Sequence, residues 1–194
     1  PESAKKAAAE TAGEKGVEGW VFTLQAPSYS PFMTYADNRD LRRELYLAYN
    51  TKCTHDNATN NLEIVKKLAN TRMAIAQLLG YDNFAQYNLV ERMAQNSDAV
   101  YSLLNQLLDA YTPTARQEDA EGQALAQQTE GKDFKVMPWD WSYYSHKLKD
   151  RKFNIDDEML RPYFELGNVK NGVFGLATKL YGVTFKKNAD IPVY

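Results

Sequence analysis

Apolar residues recur along most of this chain at the period of an α-helix. In "NNLEIVKKLANTRMAIAQLL", Asn60 to Leu79, the residues Leu62, Val65, Ala69, Ala76 and Leu79 keep a three-and-four rhythm. Arg72 takes the missing beat at the centre of that stripe. Gly80 follows as a residue free to turn left-handed, with Tyr81 placed to cover the last turn. A second helix, "NFAQYNLVERMA", starts at Asp82 or Asn83, either of which can cap it. Ser97 begins a third, with Val100, Leu103, Leu104, Leu107, Leu108 and Tyr111 expected inward. Pro113 should kink or break it. Beyond that proline, "TARQEDAEGQALAQQTEG" keeps helix-forming residues but loses most of its apolar stripe. It reads as a solvated arm, or as a helix whose partner lies outside this chain.

The flanks are helical too. "ESAKKAAAETA" forms a helix by propensity, closed by Gly13. "WVFTL", Trp20 to Leu24, is β-branched and aromatic and reads as a strand. Pro27 and Pro31 bracket a turn or short helix, and from Asn38 the chain turns helical, with Leu41, Leu45, Ala48 and Tyr49 at helical spacing. In the final third Asp140 caps one helix, and Asp156 caps "DDEMLRPYFEL", stapled by Ile155 and Leu160. Val169, Val173, Leu176 and Leu180 mark the last helix, ended by Gly182, and "VTF" is the second strand candidate. The expected fold class is all-α with a short strand near each end. Residues 1–194 read as a single helical region with a sub-boundary near Pro113.

Composition narrows the function classes. A chain of 194 residues can bury a sizeable core. Its formal charge of -2, from 23 Lys and Arg against 25 Asp and Glu, gives no pull toward nucleic acid or anionic lipid. Cys53 is the single cysteine, so no internal disulfide forms; a cytoplasmic location suits it and a periplasmic one stays open. No apolar run approaches the roughly 20 residues that span a bilayer, and Pro1-Glu2-Ser3 opens no signal peptide. Both ends read as cut from something longer.

The densest chemistry is "PWDWSYYSHKL", Pro138 to Leu148. With Asp140 as cap, Trp139 and Tyr144 stand at the two positions of a staple. Trp141, Tyr144 and Leu148 share a helix face, which is core spacing. A stacking platform for a ligand is the alternative. His146 has Ser142 four residues before it and Asp150 four after, so no second imidazole shares its turn. His55 stands two residues from Cys53 in a loop, a weak zinc signal without a second pair. HExxH, CxxC, GxSxG and Walker-type loops are all missing from the 194 residues. Arg72, if buried in its stripe, needs a carboxylate or several carbonyls to meet it. It is read as a structural ion pair or a snorkelling side chain, with a channel-lining arginine as the sharper alternative. Arg39, Arg42 and Arg43 interleave with Asp37, Asp40 and Glu44, the pattern of a solvated helix face. By residue chemistry no catalytic and no metal-ligating residue is assigned.

Read in order, "PSYSPFMTYADNRDLRRELYLAYNTK", Asp56–Asn57, "TRMAIAQLLGYDNFAQYNLVERMA", "PWDWSYYSHKLKDRKFNIDDEMLRPYFEL", "NGVFGLATKLYGVTF" and "DIPVY" resemble the middle of the M3 family of zinc oligopeptidases. The peptidyl-dipeptidase and oligopeptidase A branches fit best. Phe153–Leu166 and the closing "DIPVY" lean toward the former. The resemblance implies a mostly helical, neurolysin-like fold, with two lobes flanking a deep channel for short peptides. It implies zinc held by an HExxH helix and a later glutamate, none of which falls on a residue of this chain. The expectation is therefore a piece of helical channel wall, inactive and zinc-free alone, from a peptidase that releases C-terminal dipeptides. Short peptides are the expected partners of the parent, with neither nucleic acid nor membrane, and this piece is expected to self-associate through exposed faces. The rival expectation is a self-contained helical binding or scaffold domain without catalysis.

Overall fold

The computed structural model describes residues 1–154 and 157–191. The expected cap at Asp156 and its staple partner Ile155 lie outside the described residues. The elements are α1 (Glu2–Glu14), α2 (Ala26–Tyr35), α3 (Arg39–Asn50), α4 (Leu62–Leu78), α5 (Phe84–Leu89), α6 (Ser97–Glu130), α7 (Trp141–Phe153), α8 (Asp157–Leu160), a 3-10 turn (Arg161–Phe164) and α9 (Leu166–Tyr181). They fall into two compact units, Pro1–Leu148 and Lys149–Tyr194.

Helix starts follow side-chain chemistry. The Asn38, Asn83 and Asn96 carboxamide oxygens accept from the amides of Leu41, Gln86 and Ala99, capping α3, α5 and α6. Of the two candidates before α5, Asn83 takes the role. Gly80 and Gly182 adopt the expected positive φ, +85° and +68°. Pro27 and Pro31 both lie within α2, where Pro27 occupies the first turn, which has no need of its missing amide.

Neither strand candidate is a strand; the described residues contain none. A lone extended segment leaves its ladder groups unpaired, and each candidate finds other partners. Val21 donates its amide to Ala8 O, Thr23 donates to Ser28 Oγ, and Phe22 meets Phe32 edge-on at 4.5 Å. In the second unit Phe185 stacks on Phe174 of α9 at 4.2 Å.

Helix α6 departs from expectation in three ways. It runs from Ser97 to Glu130 with Pro113 inside it, not ending there. Thr112 Oγ1 donates to Leu108 O in the turn before the proline, a back-bond common for threonine inside helices. The half beyond Pro113 is no solvated arm, because it supplies Gly122, Leu125 and Ala126 to the core with Tyr143 and Tyr144. A Cβ on Gly122 would sit 3.1 Å from the Trp141 ring, so glycine lets that indole lie against the helix. The half before Pro113, expected inward, exposes Leu103, Leu104, Leu107, Leu108 and Tyr111. On α4, Leu62 and Val65 are exposed while Ala76 of the same stripe is buried, and on α9 Val169, Val173, Leu176 and Leu180 are all exposed.

Candidate functional site

A buried charge cluster organises the first unit. Arg39 and Arg42 stand three residues apart on α3, on one face. That face meets the non-helical segment leading into α7, which carries Asp140. Asp140 is 0% exposed and Arg42 1%. Arg42 Nη2 donates to Asp140 Oδ1 at 2.8 Å, and Arg39 Nη2 donates to Oδ2 at 2.7 Å. Arg39 Nε lies 3.2 and 3.0 Å from the two oxygens, and the Met137 amide donates to Oδ2 at 3.0 Å.

Arg42 spends its remaining donors on carbonyls. Nη1 reaches Ala36 O at 2.7 Å and Asp37 O at 3.1 Å, satisfying the open end of α2, while Nε reaches Trp139 O at 3.3 Å. Arg39 Nη2 also donates to Lys135 O at 2.9 Å. The guanidinium planes lie over rings: Arg42 over Tyr143 at 4.2 Å, Arg39 over Phe134 at 4.3 Å, and Arg43 over Trp139 at 5.6 Å. Gln123 of α6 grips the same segment, donating to Phe134 O and accepting from the Val136 amide.

The electrostatics follow from these contacts. Burial alone would raise the Asp140 carboxyl, but the Arg39 and Arg42 hydrogen bonds and the Met137 amide together hold it below the usual carboxylate range. The Asp140 bond raises Arg39 against a smaller effect of burial. Burial raises Tyr143, whose hydroxyl donates to Asp37 Oδ1 at 2.6 Å. Burial also raises Tyr144, helped by the Glu130 carboxylate that its hydroxyl meets at 3.0 Å. Such a cluster can bind its own segments together. Asp140 cannot serve as base or nucleophile, since both oxygens are occupied by donors and closed to water.

The residues singled out from sequence fare unevenly. Asp140 precedes α7 as expected, and its carbonyl accepts from the Tyr144 amide, but its carboxylate serves the arginines instead of capping. Tyr144 is buried and Leu148 packs beside it, whereas Trp141 stays partly in solvent and Tyr143 takes the second core place. Trp139 pairs with Tyr46 edge-on, and Tyr144 with Phe134 and Tyr143. His146 packs edge-on to Tyr35 at 4.6 Å. His55 Nε2 meets Thr51 Oγ1, and Cys53 is exposed. Arg72 is exposed and lies 5.4 Å over Phe84, so its charge stays in water and requires no buried carboxylate. The buried arginine is Arg42, which the interleaved-charge pattern had put on a solvated face. One signal pointed the other way: a carboxylate set between Pro138, Trp139 and Trp141 has little polar company nearby in sequence.

An open groove of about 520 Å³ runs beside Trp141, with Asp119, Val136 and Met137 on its walls. Among the described residues no three His, Cys, Asp or Glu side chains converge to hold a metal ion, so this part of the chain does not fit a zinc site. No helix of the described residues is long and apolar enough to cross a membrane.

Fold and cluster together define an all-α chain whose most buried polar group is a structural charge lock. Residues 32–194 match peptidase family M3, and the chain belongs to that family. It is 38% identical over 198 residues to oligopeptidase A of Escherichia coli (strain K12), covering 100% of this chain and 29% of that protein. Dipeptidyl carboxypeptidase of the same strain is 33% identical over 189 residues, covering 96% and 28%. Organellar oligopeptidase A, chloroplastic/mitochondrial, of Arabidopsis thaliana is 35% identical over 191 residues, covering 94% and 24%. The chain thus spans less than a third of the length of these curated relatives.

Proposed function

We propose that this chain is helical wall of a cytoplasmic zinc peptidase that cleaves short peptides, with the zinc and its ligands on residues outside these 194. The observation that carries the reading is the family match from residue 32 to residue 194. The names of the relatives, oligopeptidase A and dipeptidyl carboxypeptidase, supply the substrate class. The absence of HExxH from the 194 residues supports assigning the chemistry elsewhere. On this reading the two compact units belong to one helical region of the parent, and the Arg39–Asp140–Arg42 lock keeps the wall in shape.

Release of C-terminal dipeptides is the finer proposal, supported by the Phe153–Leu166 run and the likeness to dipeptidyl carboxypeptidase. Internal cleavage is the competing mode, favoured by the higher identity to oligopeptidase A. Two assays test the set. The full gene product should cleave short peptides and stop when zinc is chelated, while the 194-residue chain should do neither. Stoichiometric zinc and cleavage by the 194-residue chain alone would overturn the reading. Equal cleavage of peptides with free and amidated C-termini would overturn dipeptide release.

A further inference from the structure

Helix α6 has a single apolar face, covered at one end and bare at the other. At 3.6 residues per turn, Leu103, Leu107, Tyr111, Leu104, Leu108 and Tyr101 fall within an arc of about 160°. All six are exposed, and only half-buried Val100 among them turns away from water. Asp98 and Asp109, the charged residues between Ser97 and Ala115, lie on the opposite side of the helix. Among the described helices, only the six-residue α5 brings its backbone close to α6.

The width and neutrality of this face identify what it fits. A two-stranded pairing of copies uses a narrow seam with charged residues at its edges, which set partner and register. This arc is wider than such a seam and uncharged at both edges, the pattern of a helix that lies by one face against a globular core. More than two thirds of the length of the relatives lies outside this chain. We propose that Tyr101 to Tyr111 of α6 is the surface on which the remainder of the longer polypeptide seats an apolar core, an inference that rests on the reading above.

Amide hydrogen exchange on the full gene product and on the 194-residue chain tests it. The amides from Tyr101 to Tyr111 should exchange about a hundredfold more slowly in the full product. The double variant Leu104→Lys, Leu107→Lys should leave the unfolding midpoint of the 194-residue chain unchanged. In the full product it should abolish that protection or reduce folded yield about tenfold. Equal exchange in the two proteins would overturn the proposal. So would protection that appears in the 194-residue chain at high concentration through dimer formation and grows no further in the full product. A full product that protects this stretch but cleaves no peptide would uphold the surface and refute the peptidase reading.

Discussion

The two halves of α6 make an instructive pair. The half rich in leucine, Tyr101 to Tyr111, stands in solvent, while the half poor in apolar residues, Gly122 to Ala126, is the one buried. Small residues explain the second half. Gly122 and Ala126 leave room for the Trp141 indole and the Tyr143–Tyr144 pair, so bulky partners arrive from α7. The first half offers bulk, and its leucines and tyrosines stay exposed. An apolar period marks the face that needs cover; whether the chain supplies the cover depends on long-range partners.

Beside the buried half, the segment that Gln123 grips carries Asp140 to Arg39 and Arg42 of α3, and breaking that charge cluster should give the largest effect. Asp140→Ala strands Arg42 in the interior beside the half-buried Arg39 and should cost about 3–5 kcal/mol in urea unfolding. A loss below about 1 kcal/mol would show the lock to be dispensable.

Acid titrates the same contact. The folded-state pKa of Asp140 lies below its ordinary value of 3.8, so its contribution is complete above that pH and is lost as pH falls further. The stability gap between the parent chain and Asp140→Asn should therefore hold steady at neutral pH and narrow below about pH 3.8. A gap that widens in acid would contradict the ion pairs.

A smaller effect is expected at Tyr144→Phe, which removes the hydroxyl that meets Glu130 at 3.0 Å; about 0.5–1.5 kcal/mol should be lost. Raised pKa values also keep the Tyr143 and Tyr144 phenols protonated past pH 10, where exposed tyrosines ionise. Burial raises Tyr29 as well, so phenolate absorbance should show three late titrating groups. Smallest of all, Leu107→Lys in the bare half should change the stability of the 194-residue chain by no more than about 0.5 kcal/mol. A multi-kilocalorie loss there would erase the contrast between the halves.

Local features were legible in the sequence because their causes are local. The Asn83 cap and the left-handed Gly80 and Gly182 depend on a few neighbouring residues. The family was legible from six ordered segments. The charge lock was not, because Arg42 and Asp140 are 98 residues apart and each has a bland reading alone. The stripe around Arg72 allows an ion pair or a snorkelling side chain, and with most of that stripe uncovered Arg72 takes the second form. The strand candidates failed for want of a second strand, and their aromatic rings packed against helices instead.

Amide hydrogen exchange resolved along α6 of the 194-residue chain puts the contrast to its most direct test. Amides from Gly122 to Gln128 should exchange at least about tenfold more slowly than those from Tyr101 to Tyr111. Equal rates along the helix, or slower exchange in its first half, would contradict the division into a locked end and an uncovered one.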